Sequence, residues 1–307
     1  MFLHITLLIL GFLVLSKGAA LLVDGASAMA RKFNVPEIII GLTIVACGTS
    51  APEAAVSISS VIHGASGVGV GNILGSNITN ILLILGVSAL ITNLHVQKNT
   101  AFYEIPFVIF VSWLLMFFGW QYGAVYRGGA MVLSILFLLF LVYLFIVAKN
   151  QKNETTKTEN MPFAKMLSFV LFGVAALIIG AKLTVDSAIN IAHALNVSER
   201  IIGLTIVAFG TSLPELVTCI VAAIKKRSDL AIGNIVGSNI FNILFVLGIT
   251  GLIKPIPFES AFLVDSVWGI GATILLWIFV VHDRTLTKAK GVAFLLLYVA
   301  YVFCLIK

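Results

Sequence analysis

Two glutamates, Glu53 and Glu215, lie inside long apolar stretches of the chain, where an ionisable side chain is costly and usually serves a function. Each directly follows a proline, which lacks a backbone N–H and cannot bond to the carbonyl four residues earlier. We therefore expect a helix to break or kink at both positions and to leave carbonyl oxygens free to point inward. Four hydroxyl side chains lie within one turn of these glutamates, namely Thr49, Ser50, Thr211 and Ser212.

A second motif adds neutral oxygens to the two carboxylates. Ser76 and Asn80 are four residues apart and therefore share one face of a helix. Ser238 and Asn242 repeat this spacing, and the same segments carry four more amides, those of Asn72, Asn77, Asn234 and Asn239. Carboxylate, hydroxyl, amide and carbonyl oxygens suit Ca²⁺ and similar hard cations, whereas zinc and copper favour His and Cys. Two carboxylates neutralise one Ca²⁺ or two monovalent ions.

The elements that position these residues are predicted to be membrane helices. Hydrophobic residues make up 60% of the 307-residue chain and charged residues only 10%, with a mean hydropathy of +1.12. Soluble proteins carry roughly 25% charged residues, so the composition excludes a soluble enzyme. The basic residues behind the net charge of +6 are scattered and do not indicate nucleic-acid binding. Ten apolar segments are long enough to cross a bilayer as helices, namely 3–28, 36–62, 69–92, 103–119, 127–148, 163–192, 199–224, 230–253, 262–281 and 291–306.

The chain repeats itself at a constant offset of 162 residues. Residues 41–53 and 203–215 are identical at eleven of thirteen positions, and residues 71–82 and 233–244 at ten of twelve. The first apolar segment belongs to this repeat, so we expect it to be retained and not removed as a signal peptide.

The repeat divides the chain into two five-helix halves, 1–148 and 162–307, joined by the polar linker 149–161. A unit with an odd number of crossings begins its second copy from the opposite side of the membrane. The prediction is therefore an all-α integral membrane protein, with ten transmembrane helices as two inverted five-helix repeats. Inverted repeats of this kind are typical of transporters, with the site near the midplane where the halves meet.

Basic residues near the ends of the segments predict the orientation in the membrane. When the loops are assigned alternately to two sides, one side has thirteen Lys and Arg residues and the other only four, Arg127, Arg200, Lys254 and Lys307. Cytoplasmic loops carry the excess of basic residues. We therefore expect a multi-pass protein of the cell membrane, with the linker 149–161 in the cytoplasm and both termini outside.

The two motif pairs, G-T-S-x-P-E and G-N-x-x-G-S-N, resemble the alpha repeats of the sodium/calcium exchanger family, within the cation/Ca²⁺ exchanger superfamily. The resemblance covers essentially the whole chain and is to the short prokaryotic members. It implies antiport of Ca²⁺ against Na⁺ by alternating access, with these ions as substrates and no cofactor. It also implies that Glu53 and Glu215 are the essential carboxylates, and that backbone carbonyls near Ala46 and Ala208 complete monovalent-ion sites. The other side-chain ligands that it implies are Thr49, Ser50, Thr211, Ser212, Ser76, Ser238, Asn80 and Asn242.

Asn242 departs from the pattern of the family, many members of which have an aspartate there. The site has one potential negative charge fewer, which leaves the counter-ion and the stoichiometry open. Sodium is our prediction, and a Ca²⁺/H⁺ or other cation exchanger is the alternative, because a glutamate in a partly dry site can titrate near neutrality. A cation channel would share an oxygen-lined site, but an inverted repeat with one central acidic pair favours alternating access. No motif of an intramembrane hydrolase is present, so no enzyme is predicted.

Structural roles compete with ion binding at several of these residues. Ser and Thr hydroxyls often bond to their own helix, and a buried glutamate could simply hold helices together. Asn72 and Asn234 are predicted to join helices. The remaining charges in the first and sixth segments are predicted to pair or to extend to the membrane surface; they are Lys17, Asp24, Lys182 and Asp186.

Overall fold

A computed structural model describes residues 2–150, 161–195 and 208–306. Most of the predicted linker 149–161 lies outside these ranges, as does the start of the seventh apolar segment and of the second copy of the first motif. Within the described residues the structure is helical, apart from four strands of two residues each.

The helices and strands follow one another along the chain in an order that repeats between the two halves. They are α1 (Phe2–Phe33), α2 (Glu37–Thr49), α3 (Ala51–Ile62), α4 (Gly67–Ile91), β1 (Leu94–His95), α5 (Thr100–Tyr122), β2 (Ala124–Val125), α6 (Arg127–Asn150), α7 (Phe163–Ala194), α8 (Leu213–Ile224), α9 (Ser228–Ile253), β3 (Ile256–Pro257), α10 (Ser260–Val280), β4 (Thr285–Leu286) and α11 (Lys288–Ile306). A short helical turn, Ala208–Gly210, precedes α8. Among the described residues, four helices contain a π-helical turn, at Gly41–Val45, Asn80–Ile84, Thr100–Glu104 and Phe241–Leu247.

In the described part of the chain, eight helices are long and apolar enough to cross a membrane, and α2 with α3 forms a ninth candidate, bent by 49°. Each of these nine corresponds to one predicted apolar segment. The remaining predicted segment, 199–224, is described only from residue 208, and there α8 is an apolar helix of 12 residues. The predicted all-helical membrane fold is thereby confirmed, while the count of ten crossings stays a prediction.

The helices α4 and α9 form the centre of the bundle. In their most apolar stretches 78% and 83% of the residues are buried, compared with at most 33% in the other six long helices. The outer helices expose large apolar side chains, such as Phe145 of α6 and Leu296 of α11, which suit contact with lipid. The broken helix α2–α3 and its counterpart α8 pack directly against α4 and α9. Both helix breaks therefore lie at the centre of the protein.

The helices α1 and α7 are each 32 residues long and pack along one another. A Cβ atom at Gly18 would lie 2.9 Å from the carbonyl oxygen of Gly173, and one at Gly173 would lie 2.7 Å from the backbone nitrogen of Leu22. Glycine at these positions lets the two backbones approach this closely.

Asp24 of α1 forms an ion pair with Lys225, which directly follows α8, with 2.6 Å between Nζ and Oδ1. The partner of Asp24 is therefore on another helix, and is not the Lys17 that the sequence offered on α1. The ammonium of Lys225 also donates to the carbonyl oxygen of Ala20. These contacts fasten α1 to the end of α8.

The four strands join the two halves of the chain. β1 pairs antiparallel with β4, and β2 pairs antiparallel with β3. In order of elements, β1 and β3 follow the equivalent helices α4 and α9, and β2 and β4 follow α5 and α10. Leu94 faces Leu286 in one pair, and Ile256 faces Val125 in the other. Each strand thus pairs with a strand that is not its own repeat mate.

Candidate cation-binding site

The helix breaks predicted at the two prolines are present. α2 ends at Thr49, and the backbone leaves the helical region at Ser50 (φ −82°, ψ 8°). The second half repeats the break at Ser212 (φ −85°, ψ 4°), just before α8. In each half the glutamate, Glu53 or Glu215, lies in the first turn of the helix that begins after the break.

The two glutamates share one buried centre, where a serine of the opposite half approaches each of them. Ser50 Oγ donates to Glu215 Oε1 at 2.8 Å. Ser212 Oγ lies 3.5 Å from Glu53 Oε1 and 3.2 Å from Ser76 Oγ. Both glutamate side chains are 1% exposed. The halves therefore bring together the two carboxylates that the repeat predicted to meet.

Asparagines hold the two threonines of the first motif. Thr49 Oγ1 donates to Asn234 Oδ1 at 2.9 Å, and Thr211 Oγ1 donates to Asn72 Oδ1 at 3.1 Å. Because each hydroxyl gives its proton to an amide oxygen, the lone pairs of the hydroxyl oxygen remain available to a cation. Both bonds join the two halves, so the predicted role of Asn72 and Asn234 as links between helices is confirmed.

Four further asparagines form a reciprocal network between the halves. Asn80 Nδ2 donates to Asn239 Oδ1 at 2.9 Å, and Asn242 Nδ2 donates to Asn77 Oδ1 at 3.1 Å. The side-chain nitrogens of Asn77 and Asn239 donate to each other's backbone carbonyl oxygens, at 3.4 and 3.2 Å. Asn80 and Asn242 both lie in π-helical turns, which often occur at functional sites.

Five oxygen atoms of the predicted site are buried and have no hydrogen-bond partner among the described residues. They are Glu53 Oε2, Glu215 Oε2, Asn80 Oδ1, Asn242 Oδ1 and Ser238 Oγ. A buried polar atom left without a partner costs about 1–3 kcal/mol. A cation at this centre would satisfy these oxygens together, and two carboxylates with neutral oxygens form the ligand set that Ca²⁺ prefers.

The structure brings all ten predicted site residues into one region. Ser238 lies one turn before Asn242 on α9. The other nine take part in the hydrogen bonds described above, and they are Glu53, Glu215, Thr49, Ser50, Thr211, Ser212, Ser76, Asn80 and Asn242. Their role as cation ligands stays a prediction.

The carbonyl oxygen of Ala46, implied by the resemblance as a further ligand, accepts a bond from Ser50 N–H at 3.0 Å. Thr49 Oγ1 lies 3.3 Å away, but the proton of this hydroxyl goes to the nearer Asn234 Oδ1. One lone pair of the Ala46 oxygen therefore remains, and its role as a ligand stays a prediction. The reciprocal bonds of Asn77 and Asn239 were not predicted from the sequence, although the identity of these two residues at the repeat offset was a signal.

Comparison with known proteins relates the whole chain to one family. The family described as sodium/calcium exchanger protein matches residues 3–146 and 165–307. The putative antiporter CaxA of Alkalimonas amylolytica is 36% identical over 97% of each chain, and the sodium/calcium exchanger MaX1 of Methanosarcina acetivorans is 32% identical over 96% of each. A solved structure of the sodium-calcium exchanger NCX_Mj, soaked with Na⁺ and Sr²⁺, matches with a TM-score of 0.86 and 34% identity over 98% of each chain. This chain therefore belongs to the sodium/calcium exchanger family, as a member of prokaryotic size.

Proposed function

We propose that this protein is a secondary active antiporter that exchanges Ca²⁺ for Na⁺ across the cell membrane by alternating access. The observation that carries the proposal is the buried centre in which two carboxylates, two amides and a hydroxyl present oxygens without partners. The carboxylates of Glu53 and Glu215 supply the charge that one Ca²⁺ requires, and Na⁺ occupies the same oxygens on the return step. The other proposed ligands are Thr49, Ser50, Thr211, Ser212, Ser76, Ser238, Asn80 and Asn242.

The strand pairing supports a pair of inverted five-helix repeats. If α5 and α10 each cross the membrane, the strands that flank each helix lie on opposite sides of it. Because β1 pairs with β4 and β2 pairs with β3, β1 then lies on the side opposite to its repeat mate β3. Such pairing requires the second half to be upside down relative to the first. A substrate site between inverted halves fits alternating access.

The distribution of basic residues supports an orientation with the linker 149–161 in the cytoplasm and both termini outside. Single engineered cysteines test this orientation in intact cells with a thiol reagent that does not cross the membrane. We expect labelling near the termini and protection of the linker. The reverse pattern would overturn the orientation but not the exchange activity.

The experiment that tests exchange is ⁴⁵Ca²⁺ uptake into proteoliposomes loaded with Na⁺, K⁺ or an acidic buffer, each compared with choline. We expect internal Na⁺ to give the largest uptake, with protein-free liposomes as the control. Uptake that requires internal acid and ignores Na⁺ would establish proton exchange instead. Uptake of equal size with choline inside would indicate a channel, because an exchanger stalls without a counter-ion on the opposite side.

A further inference from the structure

We propose that Asn77 and Asn239 are positioning residues, which turn the side-chain amides of Asn242 and Asn80 so that their oxygens face the cation. This inference rests on the proposed function, because it assigns a task to residues that support the same site. Neither residue belongs to the ten proposed ligands, and both are buried, with 7% of Asn77 and 1% of Asn239 exposed.

A ligating asparagine has two ends with opposite properties. Its Oδ1 accepts and can bind a cation, whereas its Nδ2 carries two positively polarised hydrogens and repels one. The two ends have almost the same size and shape, so packing alone does not decide which of them points into the site. The orientation of the amide is fixed only by a hydrogen bond that one of its two ends can make and the other cannot.

A series of hydrogen bonds fixes the orientation of the Asn80 amide, and it starts at a backbone carbonyl, whose direction is set by the helix. Asn239 Nδ2 donates to the backbone carbonyl oxygen of Asn77 at 3.2 Å, and a backbone carbonyl only accepts. The amide of Asn239 therefore presents its Oδ1 on the other side. That oxygen accepts only from a donor, and Asn80 Nδ2 lies 2.9 Å away. Asn80 consequently keeps its Oδ1 for the site, where it is buried without a partner.

The second half contains the same chain of bonds in exchanged form. Asn77 Nδ2 donates to the backbone oxygen of Asn239 at 3.4 Å, and Asn77 Oδ1 accepts from Asn242 Nδ2 at 3.1 Å. Asn242 Oδ1 is again buried without a partner. Each positioning asparagine thus lies in one half and orients the ligand of the other half. A packing role alone would not leave two ligand oxygens free at equivalent places.

A single substitution separates this role from simple packing. Asn239→Leu keeps the branching of the side chain, although it is bulkier, and removes both polar ends, including the oxygen that holds Asn80, so the amide of Asn80 is free to turn its nitrogen towards the ion. We expect the KM for Ca²⁺ to rise at least about tenfold, with a smaller change in the maximum rate. Thr273→Val is the matched control, because Thr273 lines the same small cavity beside Asn77 and Asn239 but bonds to Gly269 of its own helix. Its KM should stay unchanged.

The decisive experiment combines Asn239→Leu with Asn80→Asp. A carboxylate presents an oxygen in either orientation, so it does not need Asn239 to turn it. In this background we expect Asn239→Leu to leave the KM unchanged or to lower it, since Asn239 Oδ1 then faces another acceptor. An equal rise of the KM in both backgrounds would overturn the positioning role. If Asn239→Leu does not fold, Asn239→Ala removes the same oxygen and is used in both backgrounds.

The outcomes distinguish this inference from the proposed function. If the unaltered protein moves no ⁴⁵Ca²⁺ against any counter-ion, the proposed function fails. If it does move ⁴⁵Ca²⁺, and the folded Asn239→Leu and Asn239→Ala proteins keep the original KM, the positioning role alone fails.

Discussion

The two halves of the chain are alike at the centre, which is the candidate site, and different at the rim, where α1 and α7 contact the other helices. At the centre, most hydrogen bonds between site residues have an exchanged mate: Ser50 to Glu215 with Ser212 to Glu53, and Thr49 to Asn234 with Thr211 to Asn72. The exception is the bond from Ser212 to Ser76, because Ser238, the mate of Ser76, has no partner among the described residues. The two serine bonds differ in length, at 2.8 and 3.5 Å. The candidate site therefore keeps most of the repeat symmetry of the sequence.

At the rim, the long helices α1 and α7 break this symmetry. α1 packs along α8, whereas the equivalent contact between α7 and α3, both of which are wholly described, is slight. Asp24 of α1 pairs with Lys225, but their repeat mates Asp186 and His63 do not come together, and His63 Nδ1 lies 2.8 Å from Ser59 O. The conformation therefore differs between the halves mainly where α1 and α7 contact them, and only slightly at the candidate site.

The largest effect should come from removing one of the symmetric carboxylates. Glu53→Gln and Glu215→Gln each leave a divalent ion with one carboxylate in a low-dielectric centre, so binding weakens by orders of magnitude. We expect each change to nearly abolish ⁴⁵Ca²⁺ flux, and the double substitution to add little. Glu104→Gln is the matched control, because Glu104 is also buried but bonds to Tyr143 away from the site. Near-normal flux in either well-expressed site variant would remove both glutamates from the mechanism.

A smaller effect is expected when a charge is added to one half only. Asn242→Asp supplies a third carboxylate, which we expect to retain Ca²⁺ transport but to shift ion preference and make it pH-dependent. At acid pH the new carboxyl is protonated and resembles the amide, so the difference from the unaltered protein should appear as the pH rises. Competition of Na⁺ with ⁴⁵Ca²⁺ across a pH series measures the shift.

The repeat symmetry makes Asn80→Asp the natural companion of that variant. Because Asn80 and Asn242 make equivalent bonds, Asn80→Asp should shift the preference between Na⁺ and Ca²⁺ in the same direction as Asn242→Asp. Opposite signs would show that the two halves of the centre are not equivalent towards ions.

The contact at the rim should respond more weakly. Lys225→Gln removes the ion pair with Asp24. The side chains of Lys225 and Asp24 are 32% and 52% exposed, so the contact contributes at most about 1 kcal/mol to the stability of this conformation. This corresponds to a change of up to about fivefold in the balance between conformations. The half-saturating Ca²⁺ concentration, measured from each side of oriented vesicles, should shift accordingly. His63→Gln, which removes no ion pair, should leave both values unchanged; an equal shift in the two variants would contradict the comparison.

The smallest effect is expected from making the halves more alike. Asn72 Nδ2 donates to Ser57 Oγ at 3.2 Å, whereas Asn234 Nδ2 lies 3.4 Å from Cys219 Sγ at the equivalent position. Cys219→Ser gives Asn234 the better acceptor while its bond to Thr49 is kept. We expect the KM for Ca²⁺ to change less than about twofold and the thermal stability to change little. A large rise in the KM would show that the sulfur itself matters for the site.

Much of this organisation could be predicted from sequence, because it depends on local chemistry. A proline inside an apolar segment removes a backbone donor wherever it lies, so the breaks next to Ser50 and Ser212 followed directly. The repeat then required Glu53 and Glu215 to be equivalent, and apolar length determined the helices.

What could not be predicted depends on which groups meet in three dimensions. The orientation of the amide of Asn80 follows from its bond to Asn239, which is 159 residues away in the chain and is itself oriented by the backbone carbonyl of Asn77. The ion pair of Asp24 with Lys225 depends on how far α1 lies along α8, and a repeat cannot predict a contact that only one half makes. The strand pairs are two residues long, which is too short for a periodic pattern.

Asparagine at both position 80 and position 242 limits the fixed charge of the site to that of its two glutamates. With both of these ionised, the complex with one Ca²⁺ has no net charge, so the membrane potential neither drives nor opposes its passage. Two monovalent ions are likewise neutral, whereas a third gives the loaded site one positive charge, worth about 2.3 kcal/mol per 100 mV. The voltage dependence of exchange then resides entirely in the monovalent step. In the proposed exchange, the number of returning ions, and not the passage of Ca²⁺, is then the quantity that couples transport to the membrane potential.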